Sequence, residues 1–251
     1  MERKLATIIL AAGKGKRMKN PEMSKVMYKL DDKPMIEYVV ELARNIDSDK
    51  IIVIVGHQKQ SVINFLNNKF NDDRIKYAHQ DEQLGTGHAV MQTKDELINF
   101  NGDVLILSGD VPLLKKSTID KFLEFHYNEY FSASLISAIF ENPFGYGRII
   151  RDETGNFIDI KEEKDADEIQ KNIKEINSGI YLIDNQQLFE GLNTLDRNNS
   201  QGEYYLTDIF KYYIDKKHKI GAMPVENTLE ITGINTFEQL TEMGNLIKSK
   251  I

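Results

Sequence analysis

Three stretches of this 251-residue chain carry residues whose types and spacing suit chemistry on phosphate. The first is Leu10-Ala11-Ala12-Gly13-Lys14-Gly15-Lys16-Arg17-Met18, with Lys25 seven residues further on. Small residues and glycines let the backbone turn sharply and approach a ligand closely. Lys14, Lys16 and Arg17 add positive charge, and a cationic loop of this kind leaving the carboxyl end of a buried strand suits a triphosphate. The second is Ser108-Gly109-Asp110, which sets an acid just past an apolar run, placed either to ligate magnesium or to cap the next turn. The third is Gln80-Asp81-Glu82-Gln83-Leu84-Gly85-Thr86-Gly87-His88, a Gly-rich entry to a helix whose free amides can meet a base or a phosphate. His88 itself reads as a half-buried helix residue.

Spacing excludes two familiar phosphate loops. A P-loop requires a glycine five residues before its Gly-Lys-Ser/Thr; Leu10 stands at that distance from Gly15, and Arg17 follows Lys16 where a hydroxyl is needed. The dinucleotide pattern G-x-G-x-x-G begins at Gly13 and Gly15 but meets Met18 at its third glycine. Nor does a Ser/His/Asp set or a carboxylate pair stand out. The chain has no cysteine, which excludes disulfides, thiolate catalysis and Cys-ligated zinc and fits a reducing compartment.

Alternating strand and helix patterns must carry these stretches. Apolar runs at 7–10, 51–55 and 104–107 read as strands buried on both faces, with a short strand at 75–78 and a strand-like stretch at 132–139. Between them helices are expected from Pro34 with a stripe of Met35, Tyr38, Val39 and Leu42, and over 61–68, 85–100 and 117–127. This rhythm implies a doubly wound parallel sheet over about the first 140 residues. After Pro143 it changes: 145–151 and 157–161 around the turn 153–156 form a hairpin and so an antiparallel extension. A charged segment (161–172), strands at 178–183 and 219–224, and helices at 203–215 and 236–249 complete the reading. The expected architecture is α/β, one domain over 1–251 with halves at 1–140 and 141–235 and a closing helix at 236–251.

A chain of this length buries about 70–75% of its unfolded surface and can hold a core without staples. Its net charge of −7 disfavours a nucleic-acid binder. Residues 1–33 carry a local +5 and the other 218 residues −12, a positive patch suited to a compact polyanion such as a nucleotide. No apolar run approaches the roughly 20 residues that span a bilayer. Met1-Glu2-Arg3-Lys4 before an apolar stretch faintly resembles a signal peptide, but the basic loop directly after it argues against one. The expectation is a cytoplasmic protein with no membrane partner.

Taken together, 10–18, Lys25, 80–89, 109–113, 145–148, 177–181 and 201–207 resemble, in order and spacing, the N-acetylglucosamine-1-phosphate uridylyltransferases of the sugar nucleotidyltransferase superfamily. The resemblance runs from residue 5 to about 236. It implies a Rossmann-like nucleotide-diphospho-sugar transferase fold, with a mixed, mostly parallel sheet and β-hairpin insertions. It also implies Leu10, Ala11, Ala12 and Gly13 along the uridine, with Gln80, Gly85 and Thr86 at the uracil edge. Arg17 and Lys25 would face the triphosphate of UTP, and Asp110 and Asn235 would hold Mg²⁺. Gly147, Glu162 and Asn177 would bind N-acetylglucosamine 1-phosphate; without the resemblance, Lys161-Glu162-Glu163-Lys164-Asp165 reads as a solvated charged face. Two departures stand out. Ser108 replaces the tyrosine usual in the bifunctional bacterial members, and no hexapeptide repeat is present for the second, acetyl-transferring activity. The expectation is that this polypeptide does not carry that activity. A related transferase using UTP or dTTP with glucose 1-phosphate, and a non-catalytic nucleotide-sugar sensor, are the alternatives.

Overall fold

The computed structural model describes residues 3–18 and 20–248. Met1, Glu2, Lys19 and 249–251 lie outside the described residues, among them Ser249, the last residue expected in the closing helix. Strand β1 (Leu5–Ala11) opens the chain. A two-residue ribbon, β2 (Lys29–Leu30) and β3 (Lys33–Pro34), is turned by Asp31 and Asp32, both at positive φ. Then come α1 (Met35–Asn45), β4 (Lys50–Val55), α2 (Lys59–Lys69), β5 (Ile75–His79), α3 (Thr86–Met91), α4 (Lys94–Leu97), β6 (Asp103–Ser108), α5 (Lys116–Asn128) and β7 (Ala133–Ile139). The second half holds β8 (Arg148–Arg151), β9 (Phe157–Lys161), α6 (Glu168–Lys171), β10 (Glu175–Asp184), α7 (Asn185–Leu192), α8 (Ile209–Asp215), β11 (Ile220–Val225) and α9 (Phe237–Lys248).

One nine-stranded sheet runs β11-β7-β10-β6-β1-β4-β5, with the β8–β9 hairpin branching from β10. The strands alternate faces: Leu5, Ile9, Val53 and Val55 enter one core layer, and Ala6, Ile8, Ile52 and Ile54 the other. Every one of these side chains is buried, which is why the runs are apolar on both faces. A third cluster joins Met18, Tyr28 and Leu30 to Ile234 and Met243, tying the cationic loop to α9 and the segment that precedes it.

Four readings are corrected. The parallel block is β6-β1-β4-β5, and β7 does not continue it, because β10 lies antiparallel between β6 and β7. Local alternation shows which segments are strands but not which position a crossover skips. The helix expected over 85–100 breaks into α3 and α4 where the Thr93 hydroxyl turns back onto the Val90 carbonyl (2.8 Å). The helix expected from 203 begins only with a 3₁₀ turn at Leu206–Asp208. Residues 203–205 are instead drawn onto the 84–87 loop, Tyr204 N–H donating to the Leu84 carbonyl (2.8 Å). Helix α7 was not expected; Asp184, whose side chain accepts from the Gln187 amide (3.1 Å), caps it. The mixed, mostly parallel sheet with hairpin insertions is as expected.

Helix α5 yields a pH dependence. His126 is buried, with Nδ1 against Ser134 Oγ (2.8 Å), and burial, assisted by Arg3, pushes its pKa down to about 4. A depressed imidazole contributes stability above its unfolded pKa near 6.5, and that stability is lost as pH falls toward the folded value. Urea melts at pH 7.5 and 5 should show the wild type losing about 2 kcal/mol more than His126→Gln between the two pH values. Equal losses would place the imidazole in contact with solvent.

Candidate active site

The strand registers bring the chemistry to one edge. Leu10 lies level with Ser108 on β6 and Ile54 on β4, and Val55 with His79 on β5, so these parallel strands end together. Ligands bind at such carboxyl edges because the connecting loops diverge there. Between the loops is a cavity of about 290 Å³. Leu10, Ala11, Ala12 and Gly13 line it together with Gln80, Gly85 and Thr86, and so do Lys25 and Asp110. A methyl on Gly13 would meet nothing within 4 Å, so this backbone lies open to a ligand. At Gly15 a Cβ would fall 2.7 Å from Lys25 Cβ, and its φ of +57° is left-handed, so only glycine lets the turn pack against Lys25.

Lys25, Asp110, Asn235 and Arg17 meet in one cluster. The Lys25 ammonium donates to the Asp110 carboxylate and to Asn235 Oδ1 (2.6 Å), and Arg17 Nη2 reaches the same Oδ1 (2.7 Å). Asn235 Nδ2 donates to the Gly233 carbonyl (3.1 Å), which fixes which end of that amide faces the cations. Its backbone N–H donates to Gln239 Oε1 (2.7 Å), and Gln239 and Thr236 close a reciprocal cap at the start of α9. A carboxylate and an amide oxygen are hard donors, and here they already cradle a cation, the protein's own ammonium; the pair fits magnesium. Among the described residues no group of three or more His, Asp or Glu is placed to hold a metal. An ion here would complete its shell from phosphate and water, as magnesium commonly does.

Of the residues expected for the sugar, the structure brings Gly147 and Asn177 together; Glu162 follows Lys161, whose carbonyl would lie 3.5 Å from a Cβ on Gly147, and the Glu162 charge acts on Tyr181, the partner of Asn177. The Gly147 carbonyl accepts from the Asn177 backbone (2.8 Å), and the Asn177 side chain bridges Tyr181 Oη (2.7 Å) and the Gly179 amide (3.1 Å). A Cβ on Gly179 would lie 3.5 Å from Ser108 Oγ, which leads back to Asp110. Glu162 lines a separate polar cavity of about 260 Å³ with Asp165, Tyr205 and Lys211. Its Oε1 accepts from Thr207 Oγ1 (2.9 Å), and burial pushes its carboxyl above the usual range against that bond.

The sequence reading did not single out Tyr146, Arg148, Gln83 or Glu203. Tyr146 is packed edge-on against Phe140 (5.0 Å) and takes a hydrogen bond from the Gly233 backbone, near the Asp110 and Arg17 charges; burial pushes its hydroxyl up. Arg148, fully buried, pairs with Glu163 (2.8 Å) and donates to the Tyr146 carbonyl. That pairing holds the 145–147 loop against the segment that carries Glu162. An arginine flanked by Gly147 and Ile149 in a strand pattern was the available signal. Gln83 and Glu203 line the cavity and lie in the 80–89 and 201–207 stretches, which the sequence marked as stretches without giving these two side chains a role.

The sequence model of the nucleotidyl transferase family matches residues 6–229. Among curated proteins, the chain is 47% identical over 247 residues to the bifunctional protein GlmU of Thermoanaerobacter pseudethanolicus, covering 98% of this chain and 52% of that one. It is 43% identical over 248 residues to GlmU of Geotalea daltonii, covering 99% and 53%. The chain therefore spans about half the length of the curated relatives it matches. A UDP-glucose pyrophosphorylase complexed with UDP-glucose superposes with a TM-score of 0.80 at 19% identity, over 99% of this chain and all of that one. A putative glucose-1-phosphate thymidylyltransferase from Bacillus anthracis gives 0.77 at 22%, over 96% and 94%. At those identities the likeness is one of fold.

Proposed function

The chain belongs to the nucleotidyl transferase family, and on that premise we propose that it transfers a uridylyl group from UTP to N-acetylglucosamine 1-phosphate, releasing pyrophosphate. The observation that carries the reading is the cluster of Lys25, Asp110, Asn235 and Arg17, of which Lys25 and Asp110 line the same cavity as Leu10, Ala11, Ala12 and Gly13. The resemblance in seven stretches and the similarity to proteins named GlmU over nearly the whole chain both support the choice of uridine and amino sugar.

A phosphate oxygen of the sugar phosphate attacks the α-phosphorus of UTP in line, and the bond to the β-phosphate oxygen breaks as pyrophosphate leaves. The nucleophile is anionic near neutral pH, so no general base is required. Catalysis then consists of bringing two anions together and neutralising the charge that accumulates. Lys25 exchanges its bond to Asp110 for the α-phosphate, and Arg17 steadies the departing pyrophosphate. Asp110 and Asn235 would hold Mg²⁺, which supplies positive charge to both phosphates. Mere binding of a nucleotide sugar needs no such cluster, which weighs against a sensor.

Pyrophosphate release from UTP, dTTP and CTP paired with N-acetylglucosamine 1-phosphate and glucose 1-phosphate tests the reading. The fastest release is expected from UTP with the amino sugar. Release from glucose 1-phosphate alone would move the assignment to the related transferases, and tight UDP-sugar binding without release would favour the sensor. In the same assay Glu162→Gln is expected to raise KM for the sugar phosphate by roughly 10–100-fold, the loss of a charged hydrogen bond, with KM for UTP unchanged. An unchanged sugar-phosphate KM would leave Glu162 as a partner of Thr207 only.

A further inference from the structure

We infer that His88 is a positioning residue for the base. It locks the Gln80 amide so that only its carbonyl oxygen faces the ligand, which makes the cavity select a pyrimidine with a ring N–H over one with a ring acceptor. The inference rests on the uridylyl reading above and adds to it the means by which uracil is told from cytosine.

Gln80 is buried and lines the cavity. Its Nε2 donates to the Gly85 carbonyl (2.9 Å) and faces His88 Nδ1 at 3.2 Å. A primary amide has two N–H donors, and both are thereby committed inside the protein. Oε1 is the group left for a ligand. A free glutamine amide can rotate by half a turn and present either a donor or an acceptor, so it discriminates poorly until one face is fixed. The rotated form would set Oε1 against the Gly85 carbonyl and the Nδ1 lone pair together.

For Nδ1 to accept, the imidazole must be neutral with its proton on Nε2. The ring is held in place from outside its helix. It stacks on Tyr204 at 25° and 6.2 Å between centroids. Tyr204 is itself clamped to this loop through its N–H to Leu84 O and its carbonyl from Gly87 N, both 2.8 Å. The His88 carbonyl takes the Gln92 side chain (2.9 Å). The 201–207 stretch, whose part in the site the sequence left open, is thus the outer wall that aims the imidazole.

Uracil and thymine carry N3–H, which a carbonyl oxygen accepts; cytosine carries a bare N3, whose lone pair would face Oε1. A site built around a fixed acceptor rejects the mismatched base because two acceptors are left opposed. Nothing in this arrangement distinguishes uracil from thymine.

The test is steady-state kinetics with UTP and CTP on wild type, His88→Leu and His88→Asn, whose Oδ1 can stand where Nδ1 stood. His88→Leu is expected to raise KM for UTP about tenfold with kcat within about twofold, and to cut the UTP/CTP ratio of kcat/KM by at least about tenfold. His88→Asn should recover most of both. In a Gln80→Ala background, His88→Leu should add no further loss, since it acts through Gln80. Unchanged KM and base preference in His88→Leu, a His88→Asn as poor as His88→Leu, or an additive loss in the Gln80→Ala background would each overturn the inference. The last comparison stands even where one single variant folds poorly. A wild type that does not prefer UTP would remove the uridylyl reading and this inference with it; one that prefers UTP while the variants behave alike removes the role of His88 alone.

Discussion

Asp110→Ala is expected to cut turnover by at least about 10²–10³-fold while the protein stays folded, and Lys25→Ala to do the same. The two side chains are bonded to each other and share Asn235, so each removal leaves the other charge without its main partner. Neither is part of a core cluster, and the Asp110 backbone carbonyl goes on accepting from Ile234 (2.9 Å). The loss should therefore fall on the reaction rather than the fold. A thermal melt near that of the wild type, beside pyrophosphate release with Mg²⁺, separates the two effects. Folded Asp110→Ala with near-normal turnover would remove the metal assignment, and a normal Lys25→Ala would remove the α-phosphate contact.

Gly85→Ala should be almost as damaging, by another route. The residue sits at φ +112° and ψ 174°, a region open essentially to glycine alone. An added methyl would fall 2.5 Å from the Tyr204 carbonyl oxygen and 2.9 Å from its nitrogen. Those are backbone atoms bonded to Leu84 and Gly87, so relief requires the two strips to part. Parting also breaks the Gln80 bond to the Gly85 carbonyl and the Leu206 N–H bond to Thr86 Oγ1 (3.1 Å). Backbone strain of about 1–3 kcal/mol is expected, so UTP binding should weaken by up to roughly 10²-fold. A UTP titration by calorimetry checks it; affinity within twofold of wild type would mean that this loop does not hold the base.

The sequence reading succeeded where the signal was local. Buried strands announce themselves as β-branched runs, and the loops that follow β1, β5 and β6 carry glycines, cations and an acid whose spacing was visible without coordinates. It failed where an outcome depends on distant segments. Nothing in 203–205 says that it will pair with 84–87 instead of starting a helix, because that choice is made by backbone bonds across more than a hundred residues. Nor does the Lys-Glu-Glu-Lys-Asp segment say that Glu162 will turn to Thr207 while its neighbour Glu163 turns to Arg148. Helix α7 is different: Asp184 with Gln187 three residues on is a start signal that was present and passed over.

The place of β10 also bears on how the protein can be made. The chain is synthesised from its amino terminus, yet the slot between β6 and β7 is filled by a segment that emerges only at residues 175–184. Until then a nascent chain presents one bare edge of Asp103–Ser108 and leaves Ala133–Ile139 bare on both edges, since β11 emerges later still; both segments are rich in buried apolar residues. Such edges invite pairing with other chains. Fragments that stop before residue 175 should therefore collect in the insoluble fraction, and refolding from urea should be slow, because closing the sheet needs contacts of long sequence separation.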